Sequence, residues 1–231
     1  MKNYLCINGK KTELTEEQLK ELGFITEPSP LAKQQSAVRA WNAQEHYKVH
    51  DVIEDFGYSF EIIGFNHDKN ADDENRPTVT LMAKELLPEH RMNPGKCERG
   101  WVDSELRKWL NEEFINTLPS ELVELIQPTW RKSLDSCGRF YDTVDKLFIP
   151  TESELFGSAI YSLDMCGERY EAFENSKDRQ RIGDNDEPDG YWTSSAIAGN
   201  SNAFVLVSNI GLVSICTASN ANRAPFCFQI S

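Results

Sequence analysis

The sequence predicts an α+β fold, and three observations carry that reading. Short runs rich in β-branched and aromatic residues, bounded by turn residues, occur in the first third of the chain and again in its last quarter. Between them, residues 103–126 place apolar side chains at helical spacing. Third, no Asp, Glu, Lys, Arg or His occurs between Tyr191 and Asn222, although charged residues make up 26% of the chain. Within that tract Ala203 to Val207 and Gly211 to Ile215 read as strands, set among Ser, Asn, Ala and Thr. Small uncharged polar groups of this kind suit a surface that meets ligands through short, adaptable hydrogen bonds. A β-rich core whose turns use Ser and Asn is the other reading of the same residues.

The elements follow in order. Tyr4-Leu5-Cys6-Ile7, the turn Asn8-Gly9 and Lys11 to Leu14 describe a β-hairpin with a two-residue type I′ loop. Thr15 and Gln18 have capping-box spacing, Leu19 and Leu22 give an apolar edge, and Gly23 is placed to end the helix. This ββα module, residues 1–25, is too small to be stable alone and is expected to dock on a neighbour, a partner or a second copy. Residues 26–45, with Pro28, Ser29 and Pro30, read as a linker, and 46–231 as the main domain. Strands are expected at 48–52, 59–65 and 78–82, with 66–76 an exposed loop between the last two. A helix is expected over 103–116, capped by Asp103 or Ser104 and burying Leu106, Trp109, Leu110 and Phe114. A second helix opens at Pro119, carries Leu122, Val123, Leu125 and Ile126, and stops at Pro128. Lys146 to Ile149 reads as a buried strand. Thr151 and Glu154 form another capping box for a brief helix that ends by Gly157. Residues 168–189 are polar with few apolar anchors and read as a long surface loop.

A formal charge of −13 opposes binding to phosphate backbones and anionic membranes, so nucleic acid is not an expected partner. No stretch approaches the ~18 apolar residues of a membrane span, so membrane insertion is not expected. The N-terminal residues turn polar too early for a signal peptide, which points to synthesis in the cytoplasm. Cysteines at 6, 97, 137, 166, 216 and 227 include no Cys-x-x-Cys pair, which argues against a zinc knuckle and a thioredoxin motif. No cofactor, catalytic residue or metal site is assigned. His46 and His50 have i, i+4 spacing but lack the Glu of a His-Glu-x-x-His helix, and His67 and His90 read as surface residues. The acidic run 184–190 is either a solvated loop or a calcium loop, with Pro188 where an EF-hand needs a ligand. Trp101, Trp109, Trp192 and Phe226 sit in apolar-patterned elements and are assigned to the core ahead of ligand stacking. Arg223 closes the uncharged tract and is read as a paired arginine anchoring the last strand.

Three segments in fixed order carry a resemblance. They are Gly100-Trp101-Val102-Asp103-Ser104-Glu105-Leu106-Arg107-Lys108-Trp109-Leu110-Asn111, then Thr143 to Pro150 with Ser153-Glu154, then Tyr191-Trp192-Thr193-Ser194-Ser195 leading to Arg223-Ala224-Pro225-Phe226. Together they resemble a domain of unknown function common in Firmicutes and their prophages, over roughly residues 46–231. The closing Arg-Ala-Pro departs from that family's Arg-Pro-Ala, and Thr-Ser-Ser after Trp192 departs from its usual Leu-Arg-Ser. The family looks like a branch of the C-type-lectin-like fold, the group of formylglycine-generating enzymes and of the variable proteins of diversity-generating retroelements.

The resemblance implies a ligand-binding face near the C-terminus, over residues 197–222. The residues assigned to it are Ile197, Asn200, Ser201, Asn202, Ser208, Asn209, Ser214, Cys216, Thr217, Ser219, Asn220 and Asn222. The expected function is that of a non-enzymatic display protein of phage or prophage origin, meeting a protein or glycan on a cell surface and carried on the virion. Two alternatives stand beside it: a structural phage component, and a thiol oxidase using Cys216 and Cys227, whose spacing does not match the formylglycine-generating motif.

Overall fold

The computed structural model describes residues 4–7, 10–15, 17–18 and 27–231, with backbone alone for 4–7 and 10–13. Its first half runs β1 (Tyr4–Ile7), β2 (Lys10–Glu13), α1 (Pro30–Arg39), α2 (Ala43–His46), β3 (Val52–Asp55), β4 (Tyr58–Phe65), β5 (Val79–Ala83) and β6 (His90–Arg91). The middle holds α3 (Glu105–Lys108), α4 (Ser120–Leu125), β7 (Thr129–Leu134), β8 (Phe140–Asp145) and α5 (Glu152–Phe156). The last quarter is β9 (Arg181–Ile182), β10 (Pro188–Asp189), β11 (Tyr191–Ile197), β12 (Asn200–Val207), β13 (Val213–Thr217), β14 (Ala221–Asn222) and β15 (Cys227–Ile230). The result is a mixed α and β chain of small antiparallel sheets with few helices.

The largest sheet has the order β15-β5-β4-β3, so the last strand of the chain pairs with the third strand of the sequence domain. Both faces of this sheet are buried. Phe60, Ile62, Leu81, Phe228 and Ile230 face the main core, where Phe60 and Phe228 meet edge to face at 5.0 Å. Ile63, Met82 and Cys227 face a second cluster containing Phe148, Tyr170 and Phe173. Burial on two sides is why β5 has no polar face to alternate with its apolar one. The outer edge of β15 is covered at Phe148, which exchanges backbone hydrogen bonds with Cys227 at 3.0 and 2.8 Å. Lys146 to Ile149 is thus buried as expected at 147–149, but it pairs as a single bridge.

Several expectations hold in detail. β1 and β2 pair from Tyr4↔Glu13 to Ile7↔Lys10, and the Asn8-Gly9 turn itself lies outside the described residues. Thr15 and Gln18 make both capping-box bonds, at 3.0 and 3.2 Å, and residues 17–18 are helical; the rest of the expected helix, with Leu19, Leu22 and Gly23, lies outside the described residues. The Thr151/Glu154 box is complete, and Gly157 ends α5 at φ +76°.

Other expectations are corrected. Residues 26–45, read as a linker, contain α1, whose Leu31 and Val38 are buried in the core and whose N-cap Ser29 accepts from Ala32. The Pro-Ser signal marked a helix start rather than a spacer. Residues 48–51 form a turn, not a strand, so His50 lies outside any helix; its Nδ1 meets Glu61 Oε1 at 2.8 Å, and it makes no helical pair with His46. The helix expected over 103–116 is divided: a 3₁₀ turn over Gly100–Asp103, then α3 capped by Ser104, a π-helical turn over Trp109–Glu113 and a 3₁₀ turn over Phe114–Thr117. The wider π turn brings Phe114 under Trp109, with ring centroids 5.3 Å apart. The loop 66–76 buries Asp68 and Asn70, and the polar stretch 168–189 buries Tyr170, Phe173, Arg179 and Arg181. In both, a few inward anchors were outvoted in the sequence by charged neighbours.

β11, β12 and β13 form a three-stranded antiparallel sheet with β12 central and β13 at one edge. Its far turn is locked by Gly211, at φ +76°, where an added Cβ would lie 1.7 Å from the Ser176 carbonyl oxygen. Gly199, in the β11–β12 turn, has φ +70° and nothing within 4 Å of the same point. Gly211→Ala is expected to destabilise the protein by about 2 kcal/mol or more, from strain plus overlap. Gly199→Ala, with strain alone, should cost about 1 kcal/mol. Urea unfolding midpoints of the two variants measure the difference.

Candidate functional site

None of the twelve residues assigned to the ligand face is buried. Asn200, Asn202, Asn209, Thr217, Ser219 and Asn220 are exposed, and Ile197, Ser201, Ser208, Ser214, Cys216 and Asn222 are half-buried. The residues between them form the frame: Trp192, Phe204, Val205 and Phe226 are fully buried. The separation follows from the continuous burial of β12 from Ala203 to Val207; alternation in β13 exposes Ile215 and Thr217 and half-buries Ser214 and Cys216.

The register divides the twelve into two groups. Ile197 pairs with Asn200 and Ala203 with Thr217, so Ile197, Asn200, Ser201, Asn202 and Thr217 share the end of the sheet that leads into Ser219, Asn220 and Asn222. Cys216 joins them, since Asn220 and Asn222 each donate an amide hydrogen bond to its Sγ, at 3.3 and 3.4 Å. Ser208 and Asn209 lie at the opposite turn, with Ser214 paired to Leu206 on the way there. Five residues of β12 lie between Asn202 and Ser208, six steps or about 20 Å at the usual strand rise. One contiguous face over 197–222 is therefore corrected to a nine-residue group and a separate three-residue group.

Some of these side chains are engaged in shaping turns. Asn200 Oδ1 accepts from the Asn202 backbone N–H, and Ser208 Oγ from that of Leu212. Within the described residues, the side chains of Ser201, Asn202, Asn209, Ser214, Thr217 and Ser219 make no hydrogen bond, which leaves their donors and acceptors to solvent or ligand. Arg223 closes the tract as read: its side chain is largely buried and pairs with Asp184 at 2.6 Å and Asp189 at 2.8 Å. The acidic run 184–190 thus spends two of its carboxylates on Arg223.

A second site was not found by sequence reasoning. A cavity of about 510 Å³ opens beside Trp130, Lys132 and Asp142, and its floor is a buried charge cluster. Arg131 Nη1 donates to Asp68 Oδ1 and Nη2 to Glu154 Oε2, both at 2.5 Å, with the guanidinium carbon 4.2 Å from the centre of the Phe148 ring. Tyr170 and Thr80 hydroxyls donate to Asp68 Oδ2, at 2.8 and 2.6 Å. His67 stacks on Tyr170 at 3.9 Å, and Gly64 is where that ring fits, an added Cβ lying 3.2 Å from it. Each partner comes from a different element: the β4–β5 loop, β7, α5 and the segment after α5. No local pattern joins Asp68 to Arg131, and β7 buries Thr129, Arg131 and Ser133 while exposing Trp130 and Lys132, which inverts the usual signal. His67 is correspondingly corrected from a surface residue to a cavity residue, and His90 to one stacked on Trp109 at 4.8 Å.

The electrostatics are those of an internal ion cluster. Burial works against the charged form of Asp68, but Arg131 and Thr80 outweigh it and hold the carboxyl well below its usual range. Burial likewise opposes protonation of His67, and the Asp68 and Glu154 carboxylates outweigh it, so its pKa is raised. His67 Nε2 donates to the Glu168 carbonyl at 2.9 Å, and Nδ1 stands 3.8 Å from Asp68 Oδ1, an ion-pair distance too long for a hydrogen bond. Burial pushes the nearby Asp164 up to about 6 and the Cys166 thiol up to about 12. His67, Asp68 and Glu154 are metal-ligand types within 4.8 Å of one another, but Arg131 already supplies a cation to both carboxylates.

The aromatic and motif residues stay with the frame. Trp101 and Trp192 are buried, and their ring N–H groups donate to Asp145 at 3.1 Å and to the His90 carbonyl at 2.9 Å. Among the described residues the five cysteines are free thiols, and no helix is long and apolar enough to cross a membrane.

Two outcomes follow for the charge cluster. Arg131→Met strands two buried carboxylates and should cost about 3–5 kcal/mol in urea unfolding, part of which Asp68→Asn and Glu154→Gln restore when added. The raised pKa values of His67 and Asp164 act in the same direction: each stabilises the fold below its unfolded pKa and loses that contribution as pH rises through the folded value. Stability is expected to fall from about pH 4 to about pH 6 through Asp164 and to fall further above about pH 6.5 through His67, and Asp164→Asn and His67→Gln should each flatten the corresponding part of the slope.

The family model for a domain of unknown function, DUF6273, matches residues 77–230, which is 154 of the 231 residues. No curated protein and no solved structure matches the chain.

Proposed function

The chain belongs to the DUF6273 family, and we propose that it is a non-enzymatic ligand-binding protein of phage or prophage origin, built on a C-type-lectin-like domain. Its binding face is the end of the β11-β12-β13 sheet that carries Ile197, Asn200 to Asn202 and Cys216 to Asn222. The observation that supports this is the separation within one uncharged tract: small polar side chains outward, several of them making no hydrogen bond, over a fully buried frame. Such an arrangement tolerates substitution at the display positions, because surface changes away from packed features cost within about 0.5 kcal/mol. It is what a variable protein of a diversity-generating retroelement needs, and the Asn, Ser and Thr codons there are of the type that adenine-directed mutagenesis rewrites. The ligand class is a protein or glycan on a cell surface. The N-terminal module attaches the domain to a partner or to another copy, and the virion is the place where it acts.

Codon sequencing of residues 191–231 across a population of the source genome tests the variable-protein reading. Changes concentrated at adenines in the display codons, with Trp192 and Phe226 unchanged, are expected; an invariant tract would remove diversification. Binding is tested with a glycan array and with bacterial envelope fractions as probes. Asn202→Asp and Asn220→Asp should abolish retention at unchanged unfolding midpoint, and retention that survives both would transfer the role to a structural component.

The oxidase alternative needs a reactive thiol pair. Cys227 is fully buried, and burial pushes its thiol far above the ordinary value. In the native protein a thiol reagent is expected to modify Cys137 and Cys216, with Cys97, Cys166 and Cys227 reacting only after denaturation. Rapid native modification of Cys227 would favour oxidase chemistry.

A further inference from the structure

We propose that β13 is a self-pairing edge, through which two copies of this chain join their three-stranded sheets about a twofold axis at Ile215. This goes beyond the binding face, with which the paired strand shares Thr217 at its end, and does not depend on it.

β13 ends the sheet order β11-β12-β13. Its ladder with β12 is bracketed by two backbone bonds, Ser208 N–H to the Leu212 carbonyl and Ala218 N–H to the Asn202 carbonyl, both 2.7 Å. Antiparallel ladders alternate, so positions of the same parity, Ser214 and Cys216, turn their backbone groups toward β12. Val213, Ile215 and Thr217 turn theirs away from it. Of these outward groups, the Thr217 carbonyl accepts from Asn220 N–H within the chain.

Exposed strand edges normally carry a charge, a proline or a bulge that prevents pairing with another chain. β13 has none of these, and its register with β12 runs unbroken from Ala203↔Thr217 to Val207↔Val213. Its three outward-bonding residues are all β-branched, the side chains that pack best across strands. Ile215 is 53% exposed, and Leu212 and Ile210 beside it are 50% and 56% exposed, an apolar strip without a cover among the described residues.

The choice of a second copy as the occupant rests on charge and on register. At −13, two copies repel wherever acidic surface meets acidic surface, and the tract from Tyr191 to Asn222 contains no Asp, Glu, Lys, Arg or His. Antiparallel pairing centred on Ile215 sets Ile215 opposite itself and Val213 opposite Thr217, so every outward residue meets another outward residue. A twofold interface needs that self-complementarity. Two binding faces would then be held on one continuous sheet, which raises avidity for a repetitive surface.

The test uses the full chain in light scattering and sedimentation over a concentration series, with no ligand present. A monomer–dimer equilibrium is expected, weakened at least tenfold by Ile215→Asp, which places two charges opposite each other. Ile215→Pro should weaken it similarly, since the N–H it removes points away from β12. In a background with Cys6, Cys137 and Cys216 changed to Ser, Ile215→Cys should form a cross-linked dimer under mild oxidation, whereas Val144→Cys on β8, 45% exposed, should not. A wild-type chain that stays monomeric throughout, a dimer indifferent to both Ile215→Asp and Ile215→Pro, or equal cross-linking from Val144→Cys would overturn the proposal. Retention on envelope fractions is read separately, so loss of the dimer and loss of the binding face are distinguishable.

Discussion

The fold hangs on one buried cation. Arg131 lies under the Phe148 ring and joins the carboxylates of Asp68 and Glu154, which belong to the β4–β5 loop and to α5. A guanidinium in that position is tolerable only if both arms are paired, because an unmatched charge at this depth costs several kcal/mol. The pairing therefore fixes three separated stretches of chain at once. Glu154 is also the residue that completes the capping box on Thr151, so the start of α5 and the position of Arg131 are set by the same carboxylate. Tyr170 completes the set by donating to Asp68 while packing with Phe173, which ties the segment after α5 to the second core.

The residues that carry the family resemblance prove to be the framework that surrounds this cluster. Ser104 caps α3, Leu106 and Leu110 enter the core, and Arg107 meets Asp145 at 2.6 Å. Asn111 accepts from the backbone of Lys146 and Leu147 and donates to the Leu147 carbonyl, holding the second motif against the first. In the third motif, Ser195 donates to Asp164 and accepts from the Glu152 backbone N–H. The three segments hold one another, so the resemblance they carry is one of scaffold. Function then has to be sought in the residues between the motifs, which is where the uncharged tract and the cavity lie.

What was legible in the sequence and what was not divide along physical lines. Signals that act over a few residues were readable: the Thr15/Gln18 and Thr151/Glu154 boxes, the Ser104 cap, the apolar face of Leu106 and Leu110, and the buried Trp192 frame. So was the exposure of the residues assigned to the ligand face, most of which lie at strand ends and in turns, although alternation in β13 exposes Ile215 and half-buries Ser214 and Cys216. The two-ended arrangement of those residues was not, since it depends on the length of β12 and the register with β13. The Arg131 cluster was hidden for a stronger reason. Its members are spread over more than a hundred residues, and a strand that buries Thr129, Arg131 and Ser133 while exposing Trp130 looks inverted until its partners are known. The loops 66–76 and 168–189 failed in the same way: Asp68 and Tyr170 owe their burial to each other.

The placement of charge now has a common explanation. Acidic residues outnumber basic ones 37 to 24, yet the ion pairs of Arg131 with Asp68 and Glu154, Arg181 with Glu61, Arg107 with Asp145 and Arg223 with Asp184 and Asp189 all lie outside the β11-β12-β13 sheet, whose strands carry no charged residue. The contacts proposed for the edge and the end of this sheet would gain from this, since any fixed charge there would have to be desolvated or matched in each complex. In the proposed reading, the lack of charge leaves selectivity to shape and to short hydrogen-bonding groups, set over the buried Trp192, Phe204 and Val205. Arg223 marks where this regime stops. Paired to Asp184 and Asp189, it returns the chain from the uncharged tract to β15 and the central sheet, so the boundary between the two is itself an ion pair.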